Sequence, residues 1–347
     1  MRRQTIRLTL RCSNTCVFCA QQGVAAGTPD DELVDVPAAL ATARESSDEV
    51  SFTGGEPMLA PTLRDAIEAA REQGFRRIGI QTNGSSFDAG LAAAGLTDVH
   101  VSLHGATATV HDYHTGVAGS YRRLLDTIGA ARARKLTVVA TSVLTRSNFR
   151  VIGELPWLLK RRGVAAWTIA VPHTAGRAAD NFDRVAPRLG LALPYALHAL
   201  QAAAKIELPA WIDGAPLCGL GPFAARALAP RPRSFARVCD DCAARNDCPG
   251  IDPIYLRRFG DEELKPQATA AAIAADHELQ RLFVGAGELG TVPDPTAVHE
   301  PPSDARKRLP MIGRSQPAER EVPKTGENKS GDELREIFPE LFERVEE

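Results

Sequence analysis

Short apolar segments alternate with longer amphipathic ones over the first half of the chain. Six stretches have the alternating, β-branched character of strands, and they cover residues 5–11, 49–53, 77–82, 98–103, 137–143 and 166–171. Apolar residues recur at helical spacing between them, in residues 36–46, 61–73, 87–95, 119–134 and 149–162. This order predicts an α/β fold in which helices cover a parallel sheet. Since a closed barrel of this kind usually has eight units, we expect a partial (β/α)6 TIM-like barrel.

From about residue 172 the regular alternation ends. Glycine and proline interrupt residues 172–192, which predicts a loop. A helical pattern at 194–204, a strand-like piece at 206–212 and an alanine-rich helical pattern at 268–284 follow. We therefore predict a barrel core over residues 1–192 and a small second region over residues 193–284.

The C-terminal part of the chain has a composition of its own. Residues 285–330 are rich in proline and glycine, which predicts a largely disordered linker. Over residues 331–347 the apolar side chains fall on one face of a helix. From residue 291 onward, 9 Lys and Arg stand against 13 Asp and Glu, so this tail carries 9 − 13 = −4 charges. We expect the final helix to dock on its own domain, with a helix that binds a partner as the alternative.

The overall composition narrows the class of protein. Of the 347 residues, 44% are hydrophobic, which is enough for one large domain with an appendage. A net charge of −2 argues against binding nucleic acid through a basic surface. No apolar run approaches the ~18 residues of a membrane span, and the start of the chain lacks the apolar core of a signal peptide. These features predict a soluble, cytoplasmic protein without a nucleic-acid or membrane partner.

All seven cysteines fall into two groups, and the first follows the first predicted strand directly. Its members Cys12, Cys16 and Cys19 have the spacing C-x3-C-x2-C. In a reducing compartment, clustered cysteines indicate a metal site rather than disulfides. A [4Fe–4S] cluster needs four ligands and this loop offers three, so one iron is left for a ligand that is not protein.

Polar or glycine-rich loops follow the next three predicted strands. The second strand ends in the turn Gly54-Gly55-Glu56-Pro57, the third leads into Asn83, and the fourth ends around Ser102 and His104. Because right-handed crossovers bring the ends of parallel strands to one edge, we expect these loops beside the cysteine loop at the barrel mouth. The two glycines let the backbone approach a ligand closely, and Glu56 supplies a carboxylate.

The second cysteine group consists of Cys218, Cys239, Cys242 and Cys248, and the last three have the spacing C-x2-C-x5-C. Four thiolates suit one [4Fe–4S] cluster, and they also suit a structural Zn²⁺ ion. Because the first cysteine group lies in the same chain, an iron–sulfur cluster is favoured at the second group, and a zinc ion remains the alternative.

With the three-cysteine loop and the Gly54–Pro57 turn side by side, the chain resembles enzymes of the radical S-adenosylmethionine (radical SAM) superfamily. The resemblance covers residues 5 to about 260. It implies that Cys12, Cys16 and Cys19 hold a [4Fe–4S] cluster whose open iron chelates S-adenosylmethionine. It further implies an oxidoreductase that cleaves S-adenosylmethionine reductively to a 5′-deoxyadenosyl radical, which abstracts hydrogen from a substrate inside the barrel.

The resemblance also implies a set of cofactor-binding residues. The Gly54–Pro57 turn would bind the amino group of S-adenosylmethionine, and Phe18 would lie against adenine. Asn83 and Ser102 would approach the methionine and ribose parts, and the pocket would be completed near Ser142 and Val171.

The second cysteine group resembles the auxiliary-cluster regions, of the twitch or SPASM type, that follow many radical SAM barrels. A full SPASM region has about seven cysteines, including one shortly beyond the last cysteine here, where this chain has Pro249-Gly250-Ile251-Asp252 instead. The resemblance therefore implies a single auxiliary [4Fe–4S] cluster with Cys218 as its fourth ligand.

Several other residues are weaker candidates, for which a structural role competes with a functional one. His104 lies at a strand end, where a structural histidine is as common as a hydrogen-bond donor to a ligand. The remaining candidates for a substrate pocket are His111, Asp112, Tyr113, His114, His173 and Tyr255.

We expect the substrate to be a peptide or protein, because SPASM-like regions often accompany such chemistry. A small-metabolite substrate is the alternative, since the chain begins at its first predicted strand without a preceding peptide-recognition domain. The hypothesis from another class is a non-catalytic iron–sulfur or zinc scaffold. The enzyme would also need an electron donor such as flavodoxin or ferredoxin.

Overall fold

A computed structural model of the protein describes residues 3–20, 34–228, 234–270, 277–283 and 285–289. All of these lie within residues 1–297, which form one compact unit. The predicted C-terminal helix and all but the first five residues of the predicted linker lie outside the described residues.

One open sheet of parallel strands organises the described part of the chain. Its strands are β1 (Arg3–Thr9), β2 (Glu49–Gly54), β3 (Arg77–Thr82), β4 (Asp98–Ser102), β5 (Thr137–Val143), β6 (Ala166–Ala170), β7 (Ala210–Asp213) and β8 (Gly285–Leu289). Their order across the sheet is β7-β6-β5-β4-β3-β2-β1-β8, so β7 and β8 form the two edges. The predicted α/β fold with a partial barrel is confirmed.

The helices lie between successive strands, as crossover connections in a parallel sheet require. They are α1 (Val36–Ser46), α2 (Leu63–Glu72), α3 (Leu91–Ala94), α4 (Ala108–Thr115), α5 (Ser120–Ala133), α6 (Leu155–Arg161), α7 (Gly176–Asp180), α8 (Phe182–Val185), α9 (Leu189–Lys205) and α10 (Pro253–Phe259). A 3-10 segment, Phe149–Glu154, precedes α6. Within the described ranges, no helix combines the length and the apolar character that crossing a lipid bilayer requires.

The two faces of the sheet have different chemistry. The outer face carries large buried apolar side chains such as Ile6, Phe52 and Ile80, and these pack with the helices into the main core. Because side chains alternate along a strand, the other residues of each strand lie on the inner face. That face is more polar: it carries His100, whose Nε2 lies 2.7 Å from the hydroxyl of Thr141.

A smaller apolar cluster covers part of the inner face. It combines Val139, Ala166 and Trp211 of the sheet with Leu282 and Phe283 of the segment 277–283. The Phe283 ring lies 5.2 Å from that of His100 and 5.9 Å from that of Trp211. These strand positions lie toward the N-terminal ends of their strands, so the cluster forms a floor beneath the barrel mouth. We call it the floor cluster.

Segment 277–289 differs from its prediction. The alanine-rich pattern predicts a helix over 268–284, but residues 268–270 are not helical and Glu278–Leu282 forms a 3-10 helix. Residues 285–289 begin the predicted linker, and they form β8, which pairs with β1. Floor contacts made by Leu282 and Phe283 stabilise this local structure, and such long-range packing has no short-range sequence signal.

Candidate functional site

The cysteine loop, residues 10–20, leaves β1 at the mouth and contacts the Gly54–Pro57 turn directly. Gly55 N donates to Thr9 O, and Glu56 N donates to Arg11 O, both at 2.8 Å. A Cβ atom on Gly55 would lie 2.3 Å from the carbonyl oxygen of Arg11, and one on Gly54 would lie 2.4 Å from that of Thr9. The two glycines therefore permit close approach to the end of β1 and to the cysteine loop, and their predicted approach to a ligand stays a prediction.

Glu56 is fully buried behind this turn. Its carboxylate accepts hydrogen bonds from the hydroxyl of Thr82 at 2.6 Å, from Asn83 N at 2.7 Å and from Met58 N at 3.1 Å. Burial raises the pKa of Glu56, while these hydrogen bonds act in the opposite direction. The side chain thus fixes the turn to the end of β3, and Pro57 begins the 3-10 helix that follows.

Asn83 connects the third loop to the cysteine loop. Its side-chain amide donates to Ser13 Oγ at 3.1 Å and lies 3.7 Å from the sulfur of Cys12. Asn14 N also donates to that sulfur at 3.4 Å. The structure therefore brings Asn83, the Gly54–Pro57 turn and the three cysteines together, as the sequence predicts.

Two thiols of the cysteine loop have raised pKa values. Burial, followed by the neighbouring Cys19 and Cys12, raises the pKa of Cys16 to about 12. Burial also raises the pKa of Cys12. Because a thiol must lose its proton to become a ligand, metal binding at this loop has to release protons.

Phe18 lies against a group of buried histidines. Its ring centroid is 4.5 Å from that of His104 and 6.0 Å from that of His114, and His111 stacks on His104 at 5.7 Å. Burial lowers the pKa of all three histidines, so they are neutral near pH 7. They support Phe18 and the cysteine loop from within the core, which favours the structural reading of these residues.

Two of the remaining predicted cofactor residues, Ser102 and Val171, lie at strand ends. Ser102 ends β4 on the inner face, in register with Thr141. Val171 follows β6 and lines a small hollow together with Asp252 and Tyr255.

Ser142 lies elsewhere, and its prediction needs correction. It is fully buried on the outer face, where its hydroxyl donates to Leu103 O and accepts from the indole of Trp167 at 2.9 Å. Its neighbours Thr141 and Val143 lie on the inner face instead, because side chains alternate along β5.

Helix α7 contributes to the site without having been predicted. Ala178 N donates to Cys19 O at 3.2 Å. The positive charge of Arg177 acts on Cys16 and opposes the rise of its pKa. The notable residue in this part of the sequence is Gly176. A glycine at the start of a five-residue helix is typical of a loop, so the sequence did not predict the helix.

The second cysteine group surrounds a small hollow. All four thiols, those of Cys218, Cys239, Cys242 and Cys248, line it, and most of the other lining residues are apolar. Backbone amides point at the sulfurs: Leu217 N and Gly250 N donate to Cys248, each at 3.4 Å, and Gln267 N donates to Cys242 at 3.3 Å. Such hydrogen bonds stabilise thiolates and tune the potentials of iron–sulfur clusters.

Three weaker candidates have structural contacts. Asp112 accepts hydrogen bonds from Gly119 N, Tyr121 N and the hydroxyl of Ser120, and so caps the start of α5. Tyr113 is half exposed on α4. Tyr255 is buried, and its hydroxyl accepts from Leu189 N at 2.7 Å.

Residues 6–148 match the sequence model of the Radical SAM superfamily. The match contains the cysteine loop, the Gly54–Pro57 turn and Asn83. Residues 6–148 therefore carry a radical SAM domain. This superfamily implies a [4Fe–4S] cluster and S-adenosylmethionine as cofactors.

Curated relatives have several different activities. An AdoMet-dependent heme synthase of Nitratidesulfovibrio vulgaris is 27% identical over 51% of this chain and 50% of its own length. A GTP 3′,8-cyclase of Rhodococcus opacus is 26% identical over 81% of this chain and 82% of its own length. A PqqA peptide cyclase of Rhodopseudomonas palustris is 29% identical over 43% of this chain and 41% of its own length. The chain spans about half the length of the heme synthase.

Solved structures agree on the fold. SuiB of Streptococcus suis bound to its precursor peptide SuiA superposes with a TM-score of 0.51 at 16% identity. The similarity covers 63% of this chain and 50% of SuiB.

Proposed function

We propose that this protein is a radical SAM oxidoreductase with one auxiliary [4Fe–4S] cluster. The observation that supports it best is the contact between the three-cysteine loop and the Gly54–Pro57 turn. The match of residues 6–148 to the Radical SAM superfamily, whose curated relatives here are enzymes, also supports an enzyme. The hypothesis of a non-catalytic scaffold is therefore the weaker one.

The residues present fit a [4Fe–4S] cluster in the cysteine loop. Cys12, Cys16 and Cys19 would hold it, and Asn83 and Asn14 N would donate to the sulfur of Cys12. When bound, the cluster and S-adenosylmethionine supply a carbon radical that abstracts hydrogen. Phe18, Ser102 and Val171 would bind the cofactor, as the family resemblance implies, and Glu56 would hold the turn in place for it.

The four-cysteine group fits an auxiliary cluster, with Cys218, Cys239, Cys242 and Cys248 as ligands. The amide donors around the sulfurs support iron and sulfur over zinc. A region of the twitch type, with four cysteines, suits this arrangement better than a full SPASM region. Pro249-Gly250-Ile251-Asp252 stands where a full SPASM region has its next cysteine, and Asp252 bonds to Thr174.

We propose a peptide as the substrate. The peptide cyclase among the relatives supports this class, and the polar inner face offers hydrogen-bonding side chains to an amide backbone. A specific observation favours a small molecule as the second candidate: the match to the GTP 3′,8-cyclase covers 81% of the chain.

Two further features belong to this proposal. A reduced flavodoxin or ferredoxin would donate electrons, since the described residues include no reductase module of their own. A reducing, cytoplasmic compartment suits two groups of free thiols.

Anaerobic reconstitution tests the proposed function. With dithionite and S-adenosylmethionine, the wild-type protein should form 5′-deoxyadenosine, and the Cys16→Ala variant should not. Equal yields from both would overturn the assignment. Iron analysis of the same sample should give about eight irons per chain for two clusters, whereas about four irons and one zinc would support the zinc alternative.

The substrate class is tested on the same preparation. One reaction receives a short peptide encoded beside the gene, and a second receives GTP. Mass spectrometry should detect a modified peptide and unchanged GTP. Conversion of GTP without any change in the peptide would favour the small-molecule candidate.

A further inference from the structure

The loop after β6 connects the two cysteine groups. At one end, Ala178 N donates to the backbone oxygen of Cys19. Closer to β6, Thr174 N donates to Asp252 Oδ2 at 3.0 Å, and Asp252 follows Cys248 by four residues. The loop therefore contacts the cysteine loop through Ala178, and it contacts the segment that follows the second cysteine group through Thr174.

His173 and Asp252 form a histidine–carboxylate pair on this loop. Nδ1 of His173 lies 3.4 Å from Asp252 Oδ2, and the side chain of His173 is 46% exposed whereas that of Asp252 is 5% exposed. Thr174 and Ile254 N also donate to Asp252. Burial alone would raise the pKa of Asp252, but the hydrogen bonds from His173 and Thr174 outweigh it and hold the pKa well below its usual range. Asp252 is therefore an anion.

This arrangement determines which nitrogen of His173 is reactive. A carboxylate at Nδ1 favours the tautomer with the proton on that atom, which leaves the lone pair on Nε2. The carboxylate also orients the ring, as in other histidine–carboxylate pairs. The pair thus has the construction of a general base.

Packing does not account for the histidine. Thr174 and Ile254 N hold the Asp252 carboxylate on their own, and a half-exposed ring adds little buried area. A small hollow lies beside Asp252, and its lining includes Val171, Thr174 and Tyr255.

We propose that His173 accepts a proton from the substrate, with Asp252 as its positioning residue. The inference rests on the proposed function. In the step, an O–H, N–H or S–H bond next to the attacked carbon breaks. Its electron pair stays on the heteroatom, and the proton forms an N–H bond at Nε2. The substrate class is therefore a molecule with such a group beside the reacting carbon, for example a peptide side chain with a hydroxyl or thiol.

Chemical footprinting tests the position of His173, and it does not require the enzyme to turn over a substrate. Diethyl pyrocarbonate labels accessible neutral imidazoles, and mass spectrometry of the reconstituted protein reports each histidine separately. We expect saturating S-adenosylmethionine to slow labelling of His173 at least about fivefold, because the ligand would cover the mouth. His198 is exposed on α9 and serves as the control, with unchanged labelling. Equal labelling of His173 with and without S-adenosylmethionine would overturn the proposal.

The chemical role is tested with His173→Gln, Asp252→Asn and the control His198→Gln. Two rates are compared: 5′-deoxyadenosine formation without substrate, and product formation with the peptide or GTP, whichever wild type converts. We expect the ratio of the second rate to the first to fall about 10²-fold in both pair variants. An unchanged ratio in His173→Gln would refute the role even if Asp252→Asn fails to fold.

The failures of the two proposals are distinguishable. If wild type forms no 5′-deoxyadenosine, the proposed function is wrong. If wild type forms it and the ratio is unaffected, only the inference about His173 is wrong. If neither the peptide nor GTP is converted, the footprint decides the position of His173 on its own.

Discussion

At the scale of single residues, close backbone approach accounts for the paired glycines. Gly54 and Gly55 lie against the carbonyl oxygens of Thr9 and Arg11 at distances that no Cβ atom tolerates. The two adjacent glycines predicted a close approach in the sequence. They did not predict which segment approaches, because the residues of a turn do not reveal which backbone packs against it. The site is thus held by the neighbouring strand as well as by its own loop.

Replacing Gly55 with alanine tests this explanation. The added Cβ would overlap the carbonyl oxygens of Leu10 and Arg11, so we expect the free energy of unfolding to fall by about 1–3 kcal/mol. Reconstitution should also lose the iron of the first group while keeping that of the second. The control is Gly129→Ala in α5, where a Cβ meets nothing within 4 Å. Retention of all iron in Gly55→Ala would contradict the explanation.

At the scale of elements, the periodicity of apolar residues predicted the repeating strands and helices. The predicted strand 77–82 and helix 36–46 have the observed bounds, because buried strands and an amphipathic helix capped by Asp35 carry local signals. The three-cysteine loop and its neighbouring turns were predicted by the same strand order. Helix α7 and the floor cluster were not, since each depends on contacts with residues far away in sequence.

The floor cluster makes the 277–283 segment part of the barrel, and Phe283→Ala measures its contribution. The ring is 7% exposed and contacts Trp211 and His100. Removing it should lower the free energy of unfolding by about 3–5 kcal/mol. Trp157→Ala, at a side chain that is 58% exposed on α6, should change it by less than about 0.5 kcal/mol. Urea unfolding provides the measurement, and equal effects would show that the segment does not pack on the sheet.

At the scale of the whole molecule, neutral histidines occur beneath the cysteine loop and also on the inner face of the sheet. His104, His111 and His114 lie under the cysteine loop, and His100 lies on the inner face above the ion pair of Arg3 and Asp98. Each has a lowered pKa because burial disfavours the imidazolium. Lowering the pH should therefore reduce the free energy of unfolding, because these histidines bind protons more readily in the unfolded state than in the folded state.

His100 allows this pH dependence to be measured at one position. Burial, assisted by the charge of Arg3, lowers its pKa from 6.5 to about 4. Stability linked to His100 is therefore complete above pH 6.5 and is lost as the pH falls toward 4. At pH 5 the loss should be about 2 kcal/mol relative to pH 7.5. His100→Gln retains an amide that can bond to Thr141 but does not titrate, so its urea unfolding free energy should fall about 2 kcal/mol less between these two pH values. His198→Gln should follow the wild type. If His100→Gln and the wild type lose the same free energy, His100 is protonated equally in the folded and unfolded states, and burial does not exclude its charge.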